Sequence, residues 1–414
     1  MKLTYKHTLF TCYLAYIVQA IVNNLTPLLY VTFRESLGIS VPQITLLISV
    51  NFVTQIAVDL SSAVFVDRIG YRASALLATA LAGIGLVSLG LLPMILPDAF
   101  AAVLLATVLM AIGGGLIEVV ISPTVEALPG DAKAAAMSLL HSFYSWGQAG
   151  VILLSTLYFF TVGVESWPLL ACLWAIVPFV CTVLFTAVPI ATLCEEEKSL
   201  SFPALAKTGF FFPMLLIMVC AGASELGMAQ WASYYAEISL GVNKTLGDLL
   251  GPCAFALFMG VGRLFFGMKG QKLNLEKWII GSFMLCTFSY LLTALSPIPL
   301  LSLFGCALCG LSIALLWPGT YSLGAKWIPY GGTLMFALFA FGGDVGCTVG
   351  PGTIALFSDA VDNGFLRSFF AGFLSGEIGM KAGMLINALI PAIGAVTTLI
   401  LIWKMKKKQS SLTK

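Results

Sequence analysis

The stretch FAAVLLATVLMAIGGGLIEVVISPTVEA, residues 100–127, decides the fold. Between Ala101 and Val125 its single ionisable side chain is Glu118. A helix needs about 20 apolar residues to cross the hydrocarbon of a bilayer, and this run is longer. In lipid every backbone N–H and C=O must be satisfied within its own segment, so the run is read as a helix. A membrane-spanning strand would alternate apolar and polar residues over about ten positions, and no such alternation is present.

Working outward, the same pattern recurs along the chain. Apolar runs bounded by charges or by Pro and Gly fall at about 8–33, 43–66, 73–96, 100–127, 134–160, 168–190, 209–236, 248–268, 278–295, 299–324, 331–357 and 381–403. Of the 414 residues, 59% are hydrophobic and 10% charged, more apolar side chain than a soluble core absorbs or a polar surface covers. The expected fold is an all-α membrane protein of twelve transmembrane helices. The 40 Gly suit close helix–helix approach. The first run has no small-residue cleavage site and is read as span 1 rather than a removable signal.

Lys and Arg orient the spans. With an even span count, 17 of the 21 basic residues fall on the side that holds both termini, and Arg34, Lys244, Arg367 and Lys381 fall on the other. The positive-inside rule then places both termini in the cytoplasm. The connection CEEEKSLSFPALAKT, 194–208, is the longest on that side, lies near the middle, and is read as a linker. It separates an N-terminal six-helix bundle, 1–193, from a C-terminal one, 209–414. On the outer side, FLRSFFAGFL within 358–380 reads equally as a short interfacial helix or a plain loop. Asn243-Lys-Thr245 is a glycosylation sequon.

The two halves echo each other. Gly115 precedes Pro123 by eight residues in span 4, and Gly310 precedes Pro318 by eight in span 10, 195 residues further on. The same offset carries Arg68 onto Arg263. Gly147 and Gly150 of span 5 match Gly343 and Gly346 of span 11 at an offset of 196. Parallel repeats related by an axis along the membrane normal are a known transporter layout, so the two bundles are expected to be pseudo-symmetric.

Ionisable groups in lipid cost roughly 2.5–3.5 kcal/mol each on insertion scales, and they should face water or a partner. Glu118 in span 4 and Glu225 in span 7 are the leading candidates for binding solute or proton. Asp59 completes a stripe with Asn51 and Gln55 on span 2, since a spacing of four shares one helix face. That stripe reads equally as cavity lining or as a helix contact. His141, Ser145 and Gln148 form a similar face on span 5. Asp344 stands among glycines in span 11, where an interhelical hydrogen bond competes with binding. Gln19, Asn23 and Asn24 in span 1 offer amides, which both donate and accept and so suit hydroxyl groups. Trp146, Trp231 and Trp317 can stack on a sugar ring or pack. Together these residues are expected to surround one central chamber between the halves.

Ten Cys lie nearly all within apolar runs, against a disulfide framework. Cys306 and Cys309 form a CxxC inside a span and are read as packing residues rather than a metal or redox pair.

The residues 63–72, AVFVDRIGYR, resemble the signature that the major facilitator superfamily carries between its helices 2 and 3. Asp67, Arg68, Gly70 and Arg72 fit it. The resemblance implies a cytoplasmic charge latch, with Arg263 as the repeat counterpart of Arg68. GGGLIEVVISPTVEAL, SLLHSFYSWGQAG, AGASELGMAQW and FGGDVGCTVGPGTIALFSD further resemble the fucose–proton and glucose/galactose permease branch. On that resemblance Glu118, Ser122-Pro123, His141 and Glu225 occupy functional positions, and sugar uptake coupled to protons or sodium is implied. Where an acid is expected in span 1, this chain has Asn23-Asn24, which leaves the coupling ion open.

No phosphate-binding loop, metal cluster or nucleophile elbow is present in the sequence. The expectation is therefore a secondary transporter without cofactor or enzymatic activity. Its partners would be a small-molecule solute, a proton or sodium ion and the lipid bilayer, with no nucleic acid. It would act as a monomer in a bacterial cytoplasmic membrane. Proton-driven efflux of drugs or metabolites is the competing transport reading, and a non-transporting receptor or scaffold the reading from another class.

Overall fold

The computed structural model describes residues 3–128, 133–190, 200–269, 274–328, 331–364, 366–372, 374 and 377–412. Among them regular structure is helical throughout, as the demand for self-satisfied backbone in lipid requires. The long helices are α1 (Tyr5–Asn24), α2 (Val41–Ile69), α3 (Tyr71–Ile95), α4 (Ala99–Glu126), α5 (Lys133–Val162) and α6 (Ile176–Ala187, preceded by the short helix Trp167–Trp174). They continue with α7 (Phe211–Tyr234), α8 (Ala254–Lys269), α9 (Leu275–Leu295), α10 (Pro299–Ile313, resumed at Leu316–Trp327), α11 (Gly332–Asp362) and α12 (Ile378–Asn387, resumed at Leu389–Leu412). Among the described residues, eleven helical stretches are long and apolar enough to cross a membrane. They lie at the expected spans 1–10 and 12. At the place of the eleventh stands α11, 31 residues long with Gly342, Gly343, Asp344, Gly346 and Gly350 in its middle.

The helix ends obey local chemistry. Ser40 opens α2 with a capping box: Gln43 Oε1 accepts from the Ser40 N–H at 2.8 Å, and Ser40 Oγ accepts from the Gln43 N–H at 3.4 Å. Asp98 caps α4 by accepting from the Ala101 N–H at 3.1 Å, and Asn274 caps α9 by accepting from the Lys277 N–H at 3.2 Å. The break between α2 and α3 falls on Gly70, whose φ of +82° only glycine adopts without strain. Among the described residues of the stretch 358–380 there is a short helix, Leu366–Ala371, with Phe370 buried against Val361, Leu374 and Ala382.

Two compact units emerge. One comprises Met1–Glu195 with Ser233–Leu257, and the other Glu196–Ala232 with Phe258–Lys414. The boundary therefore does not run only through the linker. It also cuts α7 near its end and passes through the start of α8, and the segment between these cuts packs with the first unit. Both cuts lie beside π-helical turns, Tyr235–Ser239 and Leu249–Cys253, a feature that widens a helix locally and recurs at functional sites.

Candidate functional site

In the first unit, glycine brings the polar helices together. A Cβ on Gly113 of α4 would strike the Ala82 backbone of α3, so the two helices meet main chain to main chain. Further along α4 is Glu118, half-buried, whose Oε2 accepts from Gln19 Nε2 of α1 at 2.8 Å. One turn along, Ser122 Oγ is 2.7 Å from the Tyr16 hydroxyl, also on α1. Beside this pair, Gln55 Nε2 of α2 donates to Asn23 Oδ1 of α1 at 3.1 Å, and both side chains are buried. Asn24 Nδ2 donates to the Ala20 carbonyl at 2.9 Å and reaches the Tyr144 hydroxyl of α5 at 3.5 Å. His141 is exposed and meets the Tyr16 ring edge-on, with ring centroids 5.4 Å apart.

The structure thus gathers Gln19, Asn23, Asn24, Gln55, Glu118 and His141 on four neighbouring helices and adds Tyr16 and Tyr144, which the sequence reading did not single out. Of the stripe on α2, Gln55 is the buried member, while Asn51 and Asp59 are half-buried. On α5, Ser145 and Gln148 are buried and Trp146 is 38% exposed. A cluster of amides, hydroxyls and one carboxylate supplies both donors and acceptors, the chemistry that hydroxyl-rich solutes need.

In the second unit, Glu225 of α7 is buried, and its Oε1 lies 3.7 Å from Nη2 of Arg263 on α8. This is an ion pair beyond hydrogen-bond length. The other oxygen, Oε2, is buried with no hydrogen-bond partner among the described residues. The backbone around it is held firmly. Tyr290 of α9 donates its hydroxyl to the Ser224 carbonyl at 2.8 Å, and a Cβ on Gly222 would collide with the Gly343 carbonyl of α11. The Glu225 turn is therefore pinned by a glycine crossing and a tyrosine strut, while its carboxylate is loosely held.

Asp344, next to Gly343, is buried at this crossing. Trp317 of α10 lies against Gly343, and its buried Nε1 has no partner among the described residues. Trp231 is placed differently from a stacking platform: its ring is fully buried and Nε1 donates to the Pro351 carbonyl at 3.1 Å. Cys306 and Cys309 are buried thiols directed at α9, with Cys309 Sγ 3.8 Å from Cys286 Sγ and Cys306 Sγ 3.8 Å from Thr293.

A third polar cluster was not singled out from sequence. In the first unit Lys244 Nζ lies 3.1 Å from Glu237 Oε1 and 3.2 Å from Asp248 Oδ2, and donates to the Leu28 carbonyl at 2.6 Å. Asp248 is fully buried and also accepts from Ser233 and, at 3.4 Å, from Thr156. Arg34 donates to the Tyr234 hydroxyl nearby. The spacing of Lys244 and Asp248 by four residues was a legible signal; the contributions of Glu237, Thr156 and Leu28 were not, because they come from other helices. Asn243 of the sequon accepts from the Leu246 N–H at 3.0 Å as a helix cap.

The signature residues at the α2–α3 junction act within the first unit. Arg72 spreads its guanidinium over the end of α6, donating to the carbonyls of Phe185 at 2.7 Å, Thr186 at 3.0 Å and Val188 at 2.7 Å. A cation there satisfies carbonyls the helix leaves open and complements its dipole. Arg68 is exposed, and the side chain of Asp67 lies outside the described residues. Arg263, the repeat counterpart of Arg68, is instead half-buried and engaged with Glu225.

Apolar helices long enough to span a bilayer, carrying carboxylates tied to amides and a guanidinium, define a polytopic membrane transporter. The sequence profile of the Major Facilitator Superfamily matches residues 12–362. The chain belongs to this superfamily, and it is a transporter rather than an enzyme. Among solved structures it is similar to a bacterial homologue of the human lysosomal transporter Spinster, at 15% identity and a TM-score of 0.75 over 96% of each chain. It is also similar to the E. coli fucose:proton symporter FucP, at 15% identity and a TM-score of 0.65, covering 95% of this chain and 98% of that one. A D-xylose–proton symporter matches at 13% identity and a TM-score of 0.72, covering 94% and 97%. At these identities the likeness is one of fold. A comparison with curated protein sequences finds no match.

Proposed function

We propose that this transporter is a proton-coupled symporter of a small polyhydroxyl solute, a sugar being the best fit, working by alternating access in the cytoplasmic membrane of a bacterium. The observation that carries the reading is the Gln19–Glu118 hydrogen bond of 2.8 Å beside the Gln55–Asn23 pair. These are neutral amides and a carboxylate on adjacent apolar helices. A greasy substrate gains nothing from such groups, whereas sugar hydroxyls can exchange one-for-one with the amide and carboxylate bonds already present. The fold neighbours that carry fucose and xylose with protons support the same reading.

Glu225 is the proposed proton carrier. Its carboxylate has one oxygen without a hydrogen bond and the other 3.7 Å from Arg263. A sodium ion requires several oxygen ligands; a proton needs only the one unsatisfied oxygen. Protonation would release Arg263, and deprotonation would draw it back. The remaining organisation we propose is twelve spans in two pseudo-symmetric halves, 1–193 and 209–414, joined by the linker 194–208. Both termini would be cytoplasmic, and the protein would act as a monomer.

The test is uptake into proteoliposomes. A panel of labelled hexoses, pentoses, nucleosides and amino acids is offered with an imposed inward proton gradient, then with an inward sodium gradient. Accumulation of a sugar under the proton gradient alone is expected. Accumulation driven only by sodium, or proton-driven extrusion of apolar compounds with no sugar uptake, would overturn the assignment.

A further inference from the structure

A cavity of about 590 Å³ opens between α8, α9 and α10 of the second unit, away from Glu225 in sequence and lined almost entirely by apolar side chains. Its walls include Gly262, Phe265, Trp278, Gly281 and Leu311, with Lys277 at its edge. Phe265, Trp278 and Leu311 are each more than a third exposed, so the cavity faces the surroundings of the helices. Gly281 leaves one wall bare: a Cβ built there meets nothing within 4 Å.

The charge at the edge is not neutralised internally. Lys277 is exposed and makes no ion pair among the described residues, whereas its neighbour Glu276 is taken by Lys326 at 2.9 Å. In sequence the connection 269–277 adds Lys269 and Lys272 against that one acid. The Lys and Arg asymmetry assigns this connection to the cytoplasmic side. Trp278 stands beside Lys277 with its ring 6.0 Å from that of Phe265, an aromatic placement typical of the headgroup level.

An apolar slot open to hydrocarbon, ending in an unneutralised lysine and an interfacial tryptophan, has one occupant that matches both parts. We propose that this groove binds an anionic phospholipid of the cytoplasmic leaflet. An acyl chain lies in the slot along Gly281, and the phosphate sits at Lys277. A zwitterionic lipid fits the slot equally well but gains less from the lysine, since clusters of basic residues just outside a span select anionic headgroups.

The experiment is native mass spectrometry of the purified full-length protein in neutral detergent, titrated with dioleoylphosphatidylglycerol or dioleoylphosphatidylcholine. Wild type is expected to retain phosphatidylglycerol as a one-lipid adduct in preference to phosphatidylcholine. Lys277→Glu should weaken phosphatidylglycerol retention by at least about five-fold, while Lys404→Glu, an exposed charge reversal on the end of α12, leaves it unchanged. Gly281→Phe should remove the adduct with Lys277 still present. Equal retention of the two lipids, equal losses for Lys277→Glu and Lys404→Glu, or an adduct that survives Gly281→Phe would each overturn the proposal. Should Gly281→Phe not fold, the two surface lysine variants decide the matter.

Discussion

Glu225 and Arg263 lie 3.7 Å apart, on α7 and α8, with the carboxylate buried and one of its oxygens lacking a hydrogen bond among the described residues. A buried pair without good hydrogen bonds does little to stabilise a fold, because desolvation offsets most of the Coulomb attraction. Its persistence here fits a group that must change charge. Glu225→Gln is expected to lower proton-driven accumulation at least ten-fold while counterflow of labelled solute continues. The companion change Arg263→Leu should uncouple transport in the same way, by removing the counter-charge that Glu225 would release and recapture. Both are read in the same proteoliposomes, and intact accumulation by Glu225→Gln would remove the proposed proton carrier.

Glu118 is expected to act on binding rather than on coupling alone. Gln19→Ala removes the donor to Glu118, and Glu118→Gln removes the charge while keeping the shape. Each should weaken solute binding by about ten-fold, the size of one hydrogen bond to a charged group. Isothermal titration or scintillation proximity binding measures this on purified protein. Undiminished affinity in both variants would move the solute site elsewhere.

The Tyr290 hydroxyl on the Ser224 carbonyl is a strut beneath Glu225. Tyr290→Phe should lower thermal stability by about 0.5–1.5 kcal/mol, the net worth of a buried hydrogen bond. Gly222→Ala should be far worse, because the new methyl meets the backbone carbonyl of Gly343 and neither chain can yield. Melting curves of the two variants, followed by light scattering or intrinsic fluorescence, rank them. A Gly222→Ala protein as stable as Tyr290→Phe would contradict the close crossing.

Lys244 neutralises Glu237 and the fully buried Asp248 together. Lys244→Met strands two acids and should destabilise the first unit by about 3–5 kcal/mol, as loss of one partner from a buried pair does. Adding Asp248→Asn should recover a large part of that loss, since the stranded charge is then gone. Yield and melting temperature of the single and double variants form the cycle; a double variant no better than Lys244→Met would show that the cluster is not the cause.

Arg72 holds three carbonyls at the end of α6. Arg72→Ala should cost about 1.5–3 kcal/mol of stability while leaving solute affinity unchanged, and Arg72→Lys should restore only part, because an ammonium lacks the planar fork. A fall in affinity with no change in melting temperature would favour a role in the transport cycle over a structural one.

By itself the sequence determined where the helices run and which groups are out of place in lipid. Backbone self-satisfaction leaves no alternative to a helix in a long apolar run, and the eleven stretches able to span the bilayer fall where those runs lie. The residues Gln19, Asn23, Gln55 and Glu118 were likewise visible, as polar side chains in apolar surroundings. What no linear pattern contains is which of them touch. The repeat pairs Arg263 with Arg68, yet packing of α7 on α8 gives Arg263 to Glu225. From sequence Trp231 could stack on a ligand or pack; α11 covers it, and its Nε1 donates to the Pro351 carbonyl. The segment 233–257 joined the first unit because Lys244, Asp248 and Ser233 form a cluster with Leu28 and Thr156 from helices far away in the chain. Helix formation is local, set by solvent and backbone; ion pairing depends on distances of a few ångströms between separate helices, which only their packing sets.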